Sequence, residues 1–143
     1  MLALTFQVGS ARAAVDLRRV RSVVPRVRLT PSAGGPVGVA GGFVYRGRVV
    51  PVIDLNRLAG AGDSPDHLGS RIILVSHPAA GPDALIGLLA ARVAEVCELP
   101  DTPAETDALT GSLLGPAVAD GAGVIRLLDP DLLLPRPVGP SRD

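Results

Sequence analysis

Few side chains in this sequence could do chemistry. The soft metal ligands are His67, His77 and Cys97, separated by 10 and 20 residues. Zinc sites need closely spaced pairs of ligands that one turn or loop can converge, so these three read as chance occurrences. A nucleophile needs an activated Ser or Cys with a base held against it. No Gly-x-Ser-x-Gly elbow is present, and Ser76 and His77 are neighbours that a strand would turn to opposite faces. The carboxylates Asp129 and Asp131 flank Pro130 at a helix-start pattern, where capping explains them. The run GGPVGVAGG lacks dinucleotide-fingerprint spacing, and the chain has no P-loop lysine because every basic residue is Arg. The expectation is no catalytic residue, no metal and no cofactor.

Without a reaction centre, the chain's work must lie in its surface and in the elements that shape it. It has 143 residues, 47% apolar and 20% charged, which suits one domain or two small lobes around one core and argues against disorder. A single cysteine excludes an intramolecular disulfide framework and fits a reduced compartment. The N-terminal run is a poor signal peptide, and no stretch reaches the roughly 18 apolar residues of a membrane span. The expected location is the cytoplasm, with no membrane insertion.

Short Val/Ile/Leu-rich runs cut by Gly and Pro predict a mostly β protein. Leu2, Leu4, Phe6 and Val8 alternate as a half-buried strand, Gly9-Ser10 turns, and 12–17 returns. Leu17, Val20, Val23 and Val24 stand at helical spacing, predicting a short helix or helical turn over 17–23 that Pro25 closes. After a Gly/Pro loop over 30–42, FVYRGRVVPVIDL predicts a hairpin: strand 43–45, a turn at Arg46-Gly47, strand 48–54, then a helical turn over 55–59. Pro51 lacks a ladder donor and calls for an edge or a bulge. The polar 60–70 segment is the candidate boundary between lobes. Residues 72–75 predict a strand. Residues 84–90 and 92–99 predict two strands bending at Ala90-Ala91, with a helix over 84–98 as the rival. An acidic loop over 100–111, strands 113–118 and 124–128, a turn capped by Asp129 and a frayed tail after Pro135 complete the chain. No internal repeat is evident.

Charge is unevenly spread. Residues 1–60 carry nine Arg against Asp16 and Asp54, and residues 61–143 carry five Arg against twelve acids, a split of +7 and −7. Such a molecule is expected to be lopsided, with weak charge-driven self-association that falls as salt rises. Arg12, Arg18, Arg19, Arg21, Arg26 and Arg28 could meet phosphate. With only Phe6, Phe43 and Tyr45 as aromatics there is no stacking platform for bases. A solvated face or a dock for an acidic protein surface fits better than nucleic acid.

The segment from Gly41 through Arg46-Gly47 to Val50-Pro51-Val52-Ile53-Asp54-Leu55 resembles the signature of CheW-like domains. Val20 and Val23, Gly87-Leu88-Leu89 with Val93–Val96, and Leu127-Leu128-Asp129 fall in order around it, so the likeness covers about residues 2–135. It implies a fold of two small five-stranded, SH3-like β-barrel subdomains sharing a hydrophobic core, here a single domain over 1–135 with 136–143 as a flexible tail. It also implies a non-enzymatic adaptor between the cytoplasmic tip of a chemoreceptor and the regulatory domain of a CheA-type histidine kinase, recruited to receptor arrays. A scaffold in another signalling or motility pathway is the alternative.

Carried over residue by residue, the resemblance makes Arg46, Gly47 and Tyr45, with Val20 and Val23, the protein-binding set. For Arg46 a merely solvated tip, and for the valines a place in the core, are the rival readings. Asp54, Pro51 and Gly41 become structural residues, with Asp54 capping the next turn. Departures include Val44 for Asn before the tip, Gly42 for an aliphatic residue, Ser22 for an acid before Val23, and Ala90-Ala91 for Val-Asp.

Overall fold

The structure is a computed structural model that describes residues 1–31, 39–60, 69–100, 117–120 and 123–133. The polar segment over 61–68, the acidic loop, the start of the expected 113–118 strand and the tail lie outside these residues. Ten strands run in chain order: β1 (Leu2–Val8), β2 (Ala11–Asp16), β3 (Val20–Pro25), β4 (Val39–Tyr45), β5 (Arg48–Asp54), β6 (Arg71–Ser76), β7 (Leu85–Ala90), β8 (Val96–Glu98), β9 (Ala117–Asp120) and β10 (Gly123–Leu127). One helical turn, α1 (Leu55–Leu58), follows β5, and 3-10 turns occupy Leu17–Arg19, Pro78–Ala80 and Pro130–Leu132.

The structure corrects the expected helix and several strand bounds. The helix over 17–23 is only the turn 17–19, because Val20–Pro25 is a strand on β6. Its register shifts between Val20 and Ser22. Burial still alternates along the strand; Val23, exposed beside the inward Val24, imitates a helical period, while three valines favour the pleated backbone. The rival helix over 84–98 is absent: β7 and β8 stand there, and the bend is at Arg92 (φ +48), one residue beyond Ala90-Ala91. The strand expected over 92–99 is correspondingly short, and β4 starts at Val39 rather than at residue 43.

The strands form two five-stranded mixed sheets. One is continuous in sequence, in the order β3-β6-β7-β5-β4; the other is split between the chain's two ends, in the order β8-β1-β2-β10-β9. Both use one pairing plan. A hairpin (β6–β7 or β1–β2) lies parallel to the second strand of another hairpin (β4–β5 or β9–β10), and a fifth strand flanks the first (β3 or β8). Chain order is cyclically permuted between the two, so the continuous sheet is inserted into the split one. The sheets therefore part at residues 17–19 and 91–95, and not at 60–70, where β5 and β6 of one sheet are joined. A Gly- and Asp-rich connector has the same composition whether it crosses within a sheet or between lobes.

Side-chain alternation sorts the core into three clusters. Leu4, Phe6, Val8, Ala13 and Val15 of the split sheet meet Ile53, Ile73, Val75, Ile86, Leu88 and Ala90 of the continuous sheet in a shared core. Beneath the continuous sheet lie Val50, Val52, Ile72, Leu74 and Leu89; beneath the split one lie Ala3, Ala14, Leu99, Val118 and Ile125. Strands β5, β6 and β7 are thus covered on both faces, which is why their sequences are unbroken aliphatic runs. Gly87 leaves the room this requires: a Cβ there would stand 2.8 Å from Ile72 Cγ2 and 3.0 Å from Val52 Cγ2.

Backbone and side-chain ties cross between the sheets. Gln7 and Ala91 exchange two backbone hydrogen bonds (2.8 and 3.3 Å). Gly9 N–H donates to Asn56 Oδ1 at 2.8 Å. Arg19 donates to Ser76 O (2.6 Å) and Ser76 Oγ (3.1 Å) at the end of β6, and its other bonds reach Asp131 (2.8 and 3.2 Å) in the turn after β10. This bidentate grip holds the Asp131 carboxyl below the usual carboxylate range, chiefly through its hydrogen bond to Arg19.

A hairpin tip, a groove and a row of arginines

The β4–β5 hairpin presents the residues singled out by the sequence. Both tip residues have positive φ, Arg46 at +50 and Gly47 at +81, the handedness a two-residue hairpin loop demands. Glycine takes it freely, whereas Arg there costs roughly 1 kcal/mol. The Arg46 guanidinium lies 5.4 Å from the centre of the Tyr45 ring, which meets Phe43 edge-on at 6.3 Å. That stacking gives an exposed, flexible side chain a preferred direction.

Behind the tip, three other residues set the hairpin's shape. Asp54 Oδ1 accepts from the N–H groups of Asn56 (3.0 Å) and Arg57 (3.3 Å), capping α1. Gly41 has φ +146, and a Cβ there would fall 2.4 Å from the carbonyl oxygen of Thr30. Only glycine lets Thr30 and Gly42 exchange their two backbone hydrogen bonds (2.8 and 2.9 Å). Pro51 lies on an interior strand, not at the edge its missing donor suggested. It pairs with Gly42 on one side and stands one residue before the β7 pairing, which starts at Val52. On that side the ladder has no partner for it, and β4 shifts register nearby, between Val39 and Gly41.

An apolar groove of about 580 Å³ opens between this hairpin, the 77–84 connection of β6 to β7 and the start of β7; Val49, Val50, Pro51, Leu85 and Ile86 form its apolar lining, with Arg46 and Arg48 on its rim. A hollow of about 320 Å³ shares Tyr45, Arg46, Asp83, Ala84 and Leu85 with the groove and adds Arg21 and Ser22 from β3. The two edge strands of the continuous sheet therefore meet around one depression. His77, between the strands expected over 72–75 and 84–90, is buried, lines the groove and leaves Nδ1 without a hydrogen-bond partner among the described residues.

The protein-binding set expected from the sequence is thus only partly gathered. Tyr45, Arg46 and Gly47 sit together at the tip. Val23 is 41% exposed on β3, and Val20 is half-buried against the shared core. Neither valine lines the groove or the hollow. Arg21 was hidden inside a run of arginines that the fold disperses. Arg12 lies on the split sheet, Arg18 pairs with Asp16 at 2.7 Å, Arg19 ties the sheets together, and Arg21 reaches the hollow. Ala90 and Ala91, where the resemblance would place Val-Asp, are buried, and Ala91 joins the sheets by backbone alone.

Among the described residues no cluster of His, Cys, Asp or Glu could hold a metal ion, and no helix is long and apolar enough to cross a membrane. What the site offers is contact: apolar walls, cationic rims and a rigid tip. A CheW-like domain matches residues 2–138, and the chain belongs to that family, whose members serve as non-enzymatic adaptors in chemotaxis. Among solved structures it is similar to the scaffolding protein TtCheW from Thermoanaerobacter tengcongensis, with a TM-score of 0.77 and 23% identity over 90% of this chain and 83% of that one. No curated protein matches it.

Proposed function

We propose that this protein couples the cytoplasmic tip of a chemoreceptor to the regulatory domain of a CheA-type histidine kinase, working in the cytoplasm and joining receptor arrays through those contacts. The observation that carries the receptor half is Arg46. A residue with a side chain occupies a turn position that favours glycine, stacks on Tyr45 and stands at the rim of an apolar groove. Tolerated strain of this kind is a mark of function rather than of folding. The kinase half rests on family membership and on the exposed apolar residues of the split sheet, Leu2, Val96 and Val124. The matched span, residues 2–138, supports reading the chain as one domain. An SH3-like curl of each sheet is supported by its edge strands. Val24 of β3 and Phe43 of β4 pack on one cluster, and Cys97 of β8 and Val118 of β9 share another.

Isothermal titration with the same cell's kinase regulatory domain and with a soluble receptor-tip fragment tests the proposal. Binding of both near one-to-one at micromolar affinity is expected. Arg46→Glu should abolish tip binding and leave kinase binding intact. Retained tip binding would remove Arg46 from the site, and no binding of either fragment would refute the coupling role.

A further inference from the structure

Resting on that reading, we infer that the groove and its adjoining hollow take an amphipathic segment with an acidic rim, held by Arg21 as a second anchor opposite Arg46. Two observations converge. The two depressions lie side by side and share Tyr45, Arg46, Asp83, Ala84 and Leu85 in their linings, so a segment laid along one meets residues of the other. Their cations are Arg21, Arg46 and Arg48, exposed and without a carboxylate partner among the described residues, against the single acid Asp83. Exposed guanidinium groups beside apolar walls favour a partner whose apolar stripe is bordered by Asp or Glu, because each carboxylate can be gripped by two parallel bonds.

Arg21 comes from the opposite edge of the sheet to Arg46, so the two reach the occupant from separate elements. That geometry converts two weak rim charges into a clamp that fixes register. Ser22, beside Arg21 in the hollow, adds no second acid to Asp83.

The test is anisotropy of a labelled soluble receptor-tip fragment from the same organism, with kinase-domain binding measured alongside. Arg21→Ala should weaken tip binding about tenfold, which is the loss of one well-placed charge contact, and leave kinase binding unchanged. Arg28→Ala, outside both depressions, should do neither. A tip fragment with its Asp and Glu changed to Asn and Gln should lose a similar factor, and Arg21→Ala should then have no further effect. Tip binding that ignores Arg21 or the fragment's acids would overturn this inference and leave the adaptor reading standing. A kinase-only binder would overturn it as well, whereas loss of both activities in the unmodified protein would bring down the adaptor reading itself. Arg21 is exposed, so the variant is expected to fold, and circular dichroism checks that it does.

Discussion

The continuous sheet fills its own interior with Val50, Val52, Ile72, Leu74 and Leu89, whereas the split sheet uses Ala3 and Ala14 beside Leu99, Val118 and Ile125. Pairing plan does not set how firmly a sheet is built. The continuous sheet keeps all its pairings within residues 20–90 and buries large aliphatic side chains on both faces. In the split sheet, β1 must find β8 and β2 must find β10 across most of the chain, and loop-closure entropy is set against those pairings. Its Leu4, Phe6 and Val8 lean on the other sheet through the shared core. The split sheet should therefore be the less stable unit, opening without its neighbour but not surviving it.

Matched cavities give the largest expected effect. Leu74→Ala should cost about 3–5 kcal/mol in urea unfolding and strip amide protection from both sheets. Ile125→Ala should cost about 2–3 kcal/mol and speed exchange in β1, β2 and β10 while β6 and β7 stay protected. Equal loss of protection across the molecule in both variants would mean that the two sheets open as one unit.

Arg19→Ala gives a smaller effect because it severs a tie rather than emptying a core. Loss of its bonds to Ser76 and Asp131 should cost about 1–2 kcal/mol. Protection should fall first in β10, whose following turn holds Asp131. The smallest effect is in pH. The Asp131 carboxyl is held below its ordinary value of 3.8, so the tie's contribution is complete above that value and fades as pH falls through the lower folded one. The deficit of Arg19→Ala relative to the unmodified protein should therefore be flat near neutrality and shrink below pH 3.8. A deficit that persists in acid would show that the Ser76 bonds, and not the ion pair, carry it.

Local patterns made much of this legible. The β1–β2 alternation, the Arg46-Gly47 turn, the Asp54 cap and the order of motifs along the family likeness all depend on residues close in sequence. What was hidden depends on distance. Nothing within residues 17–25 shows that Arg19 will grip Ser76 and Asp131 while Arg21 goes to a hollow beside the far edge strand. The shared pairing plan is equally invisible, because topology repeats here without side chains repeating. The burial of His77 is equally hidden, because Ser76 and Pro78 on either side give no apolar pattern that would place it in the interior.

The insertion of one sheet into the other also sets a timetable. On a ribosome adding about 5–20 residues per second, β2 leaves roughly 5–20 s before the parallel partner β10 that completes its sheet. Through that interval the β1–β2 hairpin has its apolar face to shelter and only the continuous sheet to shelter it. The middle of the gene is thus the chaperone of its beginning: substitutions there that slow folding should surface as aggregation of a nascent hairpin they never touch.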